Sequence, residues 1–235
     1  LLDGVMRRRF HAEPIVQATE LLLQERVPRD VTVAAPTVSD TTATARIREA
    51  DQPRSWRVSP HSATPATQLL SNGRYSVMLT AAGSGYSAWR GLAMTRWRED
   101  ATCDNWGSFI FLRDVASGDV WSATLQPVGT EPDSYEAAFN EDHSEFARRD
   151  GALATTLQVL VSAEDDAEVR RVTISNYGDS AREIEITSYA ELVLAPQAAD
   201  VAHPAFSKLF VETEHLAGLG ALVATRRRRS PTEPQ

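Results

Sequence analysis

The sequence predicts an all-β protein: a large antiparallel β-sandwich with an N-terminal helical segment. Three observations predict it. From Thr67 onward apolar residues recur with a period of two, turn signals rich in glycine and asparagine separate the runs, and no stretch between runs is long enough for the helix of a parallel crossover. The 235 residues, 42% of them hydrophobic, are enough for one sandwich of this kind.

Taken in order, residues 1–30 read as a helical connector. Val5, Met6, Phe10, Ile15, Val16 and Leu21–Leu23 recur at roughly helical spacing, and Pro14 breaks the pattern. Residues 31–66 read as an irregular, extended linker with edge strands, because five of the twelve prolines fall between positions 28 and 68 among many Thr, Ser and Ala. Residues 67–235 carry the sandwich. Tyr75, Val77 and Leu79 alternate with Arg74, Ser76 and Met78, after an Asn72-Gly73 pair suited to a tight reversal. Gly83-Ser84-Gly85 makes a second reversal. Trp106 to Val115 is apolar on both faces, as a central strand should be, and Ser117-Gly118-Asp119 turns it into Val120-Trp121. Leu153, Thr155, Leu157, Val159 and Val161 form one face of a long strand, followed by a strand holding Val172 and Ile174 and a turn over 176–180. From Ile184 to Leu194 a single strand is predicted, its apolar face alternating with Glu183, Glu185, Thr187, Tyr189 and Glu191. Leu209-Phe210-Val211 and 219–224 supply further strands.

Charge and composition exclude several classes. A formal net charge of −8 argues against nucleic acid, which needs a basic footprint, and the run Arg226–Arg229 reads as a solvated strand end. Cys103 is the only cysteine, so an internal disulfide is impossible; a reducing, cytoplasmic setting and a buried structural thiol are expected. No apolar run approaches the ~20 residues a membrane span needs, so no membrane contact by this segment is expected. His11, His61, His143, His203 and His215 are scattered without the spacing of a zinc site, the acidic Glu164-Asp165-Asp166 lacks the alternating oxygens of a calcium loop, and no Gly-rich loop opens a helix. No metal or cofactor is expected. Without an initiator Met or a leader, the chain reads as a segment of something longer.

The stretch 71–121 holds four of the five tryptophans, interleaved with arginines, carboxylates and glycines. Flat aromatic faces ringed by polar groups suit pyranose rings, whose C–H faces stack while their hydroxyls accept and donate hydrogen bonds; equally, such residues serve as ordinary core and interface groups. The candidate glucan-facing or domain-facing edge is Gly85, Tyr86, Trp89, Arg96, Trp97, Arg98, Asp104 and Trp106. Gly85 would let the backbone approach closely, the aromatics would stack, and the arginines would bind hydroxyls or partner carboxylates. Glu99 and Asp100, adjacent on an extended segment, point to opposite faces and cannot flank one glycosidic bond as an acid and its partner; ion pairing with Arg96, Arg98 or Arg113 is their expected role.

In order, Gly73–Ser76, Gly83–Ser87, Thr95–Trp97, Phe111–Asp114, Trp121-Ser122, Gln126–Gly129 and Asp133–Glu136 resemble the N-terminal β-domain of the glycoside phosphorylases, glycoside hydrolase family 94, which includes cellobiose and chitobiose phosphorylase. Within that family, Arg7–His11, Glu20–Arg29 and Ala202–Phe210 are most similar to the phosphorylase-like C-terminal region of cyclic β-1,2-glucan synthases. The resemblance implies a galactose-mutarotase-like supersandwich, then a helical linker and an α/α toroid that carries the general acid and the inorganic phosphate. This chain stops before such a toroid, so no catalytic residue is carried over. The function so implied is a non-catalytic module of a glycosyltransferase or β-glycoside phosphorylase. Its expected partners are a β-glucan oligosaccharide and the toroid, with a homodimer and a tether to the bacterial inner membrane possible in the parent. Two alternatives stay open: an autonomous β-glucan-binding domain, and a mutarotase-like epimerase with His203 and Glu191 as its acid–base pair.

Overall fold

The computed structural model describes residues 55–62, 64–98 and 104–228. Within them the chain forms β1 (Trp56–Val58), β2 (Thr67–Ser71), β3 (Tyr75–Thr80), β4 (Gly85–Trp89), β5 (Leu92–Thr95), β6 (Ser108–Asp114), β7 (Val120–Ser122) and β8 (Ser134–Phe139). It continues with β9 (His143–Asp150), β10 (Leu153–Val161), β11 (Glu168–Asn176), β12 (Ile184–Ala190) and β13 (Leu192–Pro196). Two short helices, α1 (Gln197–Ala202) and α2 (Pro204–Lys208), lead to the hairpin β14 (Val211–Leu216) and β15 (Ala221–Arg226). The predicted connector over 1–30 lies outside the described residues. So does all of 31–66 before residue 55, while β1 within the described part is a sheet-edge strand.

Every strand pairing is antiparallel, as the short connections require. One layer is the five-stranded sheet β1-β8-β9-β10-β11; against it lie the sheets β13-β5-β4-β3-β2 and β12-β6-β7. Alternation explains the layering. Tyr75, Val77 and Leu79 of β3, Leu112 of β6 and Trp121 of β7 project inward to meet Ala137, Phe139, Phe146, Leu153, Leu157 and Val159 of the opposite sheet in one buried cluster. Phe146 is fully enclosed there.

Turn chemistry sets the registers. Gly73 takes a left-handed φ of 88° in the β2–β3 reversal, where the Asn72 side chain accepts from the backbone N–H groups of Arg74 and Tyr75. Arg90 and Gly91, with φ of 47° and 83°, form the two-residue turn between β4 and β5, whose positive dihedrals match the twist of a hairpin.

The predicted single strand from Ile184 to Leu194 is two strands. β12 pairs with β6, then at Glu191 the chain leaves that sheet and β13 pairs with β5, through a bulge between Leu192 and Ala195 in which Leu194 adopts φ 53°. β12 is exposed on both faces, with Ile186 at 56% and Tyr189 at 54%. The hairpin of β8 and β9, which no sequence pattern singled out, supplies much of one layer of the core.

Candidate functional site

The predicted edge lies along β4, β5 and the strand-to-strand segments beside them. Tyr86 points to the outer face of its sheet; its ring centroid is 5.8 Å from that of Trp97, tilted by 58°, and both residues are half-buried. Trp89, three residues on, faces the other way, onto the core cluster. Its indole N–H donates to Asp166 Oδ2 (2.5 Å), and the Arg90 guanidinium lies 5.1 Å from its ring. Asp166 also holds Arg74 (2.6 Å); that guanidinium and the indole keep its carboxyl below the ordinary carboxylate range. The sequence-predicted aromatics therefore divide between two faces.

Gly85 is buried, and its backbone N–H donates to the Trp106 carbonyl (2.8 Å). A methyl group at Gly85 would overlap the carbonyl oxygen of Met78 on the paired strand, so no other residue fits without moving β3. The segment 104–107 thereby runs across the ends of β3 and β4. Asp104 is fixed beside it: its carboxylate accepts from Thr80 Oγ1 (3.3 Å) and its carbonyl accepts from the Ser84 hydroxyl. Trp106 is half-buried.

Arg96 is the most enclosed of the predicted polar residues, at 4% exposure. Its Nε and Nη2 donate to the two oxygens of Asp200 (2.9 and 2.7 Å), and its Nη1 donates to Glu191 Oε1 (2.8 Å). The Asp200 hydrogen bonds, against opposing desolvation, hold the guanidinium further toward its charged form. Its backbone N–H adds a bond to the Glu191 carbonyl (2.8 Å) where the chain switches sheets. Asp200 is 2% exposed on α1. Lys208 of α2 pairs with the same oxygen of Glu191 that Arg96 uses. Among the described residues, Arg98 reaches only the carbonyl and Oδ2 of Asp200, each at 3.3 Å, and its side chain is 23% exposed. This fork binds a helical turn some hundred residues away in sequence, a pairing that no spacing pattern could show. His203 sits between α1 and α2, where its carbonyl accepts from the Ser207 N–H (2.9 Å), and it is exposed.

Sequence reasoning also passed over Arg148, fully buried on the inward face of β9 in line with Ser144 and Phe146. Its guanidinium donates to both oxygens of Asp150 (2.8 and 2.6 Å) and to the carbonyls of Ser122 (2.8 Å), Thr124 (2.9 Å) and Thr130 (3.3 Å). Period-two parity was the signal that could have found it. Among the described residues no group of three or more His, Cys, Asp or Glu is arranged to hold a metal ion, and no helix is long and apolar enough to cross a membrane.

A family profile for the supersandwich domain of glycosyl hydrolase 94 matches residues 54–235. The chain belongs to that family. The whole chain is similar, at 43% identity over all 235 residues, to the cyclic beta-(1,2)-glucan synthase NdvB of Rhizobium meliloti, covering 8% of that protein. It is 28% identical over 165 residues to the N,N'-diacetylchitobiose phosphorylase of Vibrio furnissii, across 68% of this chain and 21% of that protein. With the solabiose phosphorylase of Paenibacillus borealis it shares 29% identity over 86 residues, across 37% of this chain and 11% of that protein. The supersandwich thus spans a small fraction of each relative.

Proposed function

We propose that this supersandwich is a non-catalytic module of a larger cyclic β-1,2-glucan synthase-like or β-glycoside phosphorylase protein, packing against a separate catalytic domain and helping to shape its glucan cleft. One observation carries the reading: around Arg96 the carboxylates are tied to cations, while the aromatic pair beside them is left half-exposed. Asp200 is held by the Arg96 fork and Glu191 by Arg96 and Lys208, so neither is poised to protonate a glycosidic oxygen. The same engagement of Glu191 weighs against an epimerase that would use it with His203. The reactive acid and the phosphate belong, in this reading, to an α/α toroid elsewhere in the parent. A dimeric parent tethered on the cytoplasmic side of a bacterial inner membrane is part of the same proposal.

A half-exposed Tyr86–Trp97 pair also suits stacking on a pyranose, which supports an autonomous β-glucan-binding domain as the second reading. Calorimetric titration of the isolated chain with β-1,2-gluco-oligosaccharides separates the two. The packing module shows no saturable binding below millimolar concentration; micromolar binding that Trp97→Ala abolishes would establish the second reading instead.

A further inference from the structure

We infer that the open edge of β12 is a self-association strand, pairing antiparallel with β12 of a second copy of this chain about a two-fold axis at Thr187. The inference gives an interface to the dimeric part of the reading above and is independent of the packing face beside β4 and β5. Exposure is the first observation: Glu185 to Ala190 are all exposed, although β12 forms an unbroken antiparallel ladder with β6. The backbone parity of that ladder is fixed. The Val115 N–H donates to the Glu183 carbonyl (3.0 Å), one step before the pair Ile184 and Asp114 in the register. On the far side of β6, the Ile110 carbonyl accepts from Ala123 and the Asp114 N–H donates to Asp119. Glu185, Thr187 and Tyr189 therefore turn their N–H and C=O toward β6, while Ile184, Ile186, Ser188 and Ala190 turn theirs to the other side. Among the described residues no strand pairs with that side.

Proteins ordinarily blunt such an edge. Here β1 and β7 are three residues long, and β13 is bulged and ends in Pro196. β11 points Glu168 and Arg170 at the facing layer, where they bond Ser87 and Ser108. β12 has no such device: it holds no Pro, Gly or Lys and no bulge, and it is built on Ile184, Ile186, Thr187 and Tyr189, which favour a strand. The occupant follows from charge and register. An antiparallel pairing centred on Thr187 engages the whole strand: Ile186 faces Ser188 and Ile184 faces Ala190, each pair exchanging two backbone hydrogen bonds through the outward groups. Between them Thr187 meets Thr187 and Glu185 meets Tyr189. The strand's one carboxylate, already paired with Arg113 (3.3 Å), thus never faces its copy, whereas a pairing centred on Glu185 would oppose the two. A strand that is self-complementary in this way fits an isologous two-fold interface.

Sedimentation of the chain from about 1 to 300 µM tests this, in wild-type, Ser188→Pro and Thr187→Lys forms. Wild type is expected to show a monomer–dimer equilibrium in that range. Ser188 does not donate to β6, so a proline there spares the ladder inside the domain and removes a donor from the open edge; melting checks that the variant folds. It should weaken the dimer about tenfold or more. Thr187→Lys sets two like charges face to face and should weaken it by about as much, with added salt restoring part of the loss. In wild type, rising concentration should slow amide exchange at Ile184, Ile186, Ser188 and Ala190 and leave Glu185, Thr187 and Tyr189 unchanged. A wild-type chain that stays monomeric throughout would overturn the inference and leave the packing reading standing, the edge then falling to a different strand or to none. A dimer that both variants leave intact, or one without the alternating exchange pattern, would place the dimer contact on another face and overturn the inference while keeping the dimer. Should Ser188→Pro fail to fold, Thr187→Lys and the exchange pattern decide between these outcomes.

Discussion

Arg148 and Arg96 are both buried, and both grip an aspartate with two parallel bonds, yet they do different work. Arg148 finds its carboxylate two residues away on its own strand and gives its remaining donors to three carbonyls of the 122–130 segment. Its charge is balanced by a partly buried carboxylate on the same strand. Arg96, at the end of β5, reaches across to α1 and shares its aspartate with Arg98. One clasp stays on its own strand and the segment beside it, while the other ties the end of a strand to a helix 104 residues further along the chain.

The comparison can be broken first at Arg148. Arg148→Met leaves Asp150 and three carbonyls, two of them in buried residues, without their donor and should cost about 3–5 kcal/mol in a urea melt. A loss near zero would remove the claim that this clamp holds the sandwich. Gly85→Ala should cost about 3 kcal/mol or more, because the added methyl meets backbone rather than a flexible side chain, and it should weaken protection across β3 and β4.

Asp200→Asn sharpens the other side. It removes one carboxylate and leaves Arg96 with Glu191, so a loss of about 2–3 kcal/mol is expected, with α1 and α2 exchanging hydrogen faster than the core strands. Uniform loss across the whole domain would mean that the α1 fork belongs to the core after all.

The smallest effect is electrostatic and pH-dependent. Arg74 and the Trp89 indole hold the Asp166 carboxyl low, so the folded state binds its proton less readily than the unfolded chain. Its contribution is complete above about pH 4, the ordinary carboxylate value, and is lost as acid carries the pH down through the lowered folded-state value. The stability difference between wild type and Asp166→Asn should therefore be constant near neutrality and shrink below about pH 4. A difference that grows in acid contradicts the clasp.

Much of the fold was legible. The period-two runs of β3 and β10, the Asn72-Gly73 reversal and the two-sided apolar β6 announce an antiparallel sandwich, because each is a local requirement of a pleated, half-buried strand. The sheet switch at Glu191 was not legible, since the alternation of Ile184, Ile186 and Ser188 runs into Leu192 without interruption. Which neighbour a strand pairs with is a long-range matter that side-chain parity does not encode. The same limit applies to the site. The close approach at Gly85 could be anticipated from residue type, and the Tyr86–Trp97 pair sits where the sequence put its candidates. The opposite facing of Trp89 follows from counting, while the Arg96–Asp200 fork joins residues whose separation carries no periodic signal.

The most direct test of the central claim places a photoreactive phenylalanine analogue at position 97 of the full-length protein and maps the products of illumination by mass spectrometry. The packing account predicts a crosslink to another segment of the same assembly, formed with or without glucan present. A crosslink to glucan alone, or none to protein, would contradict it.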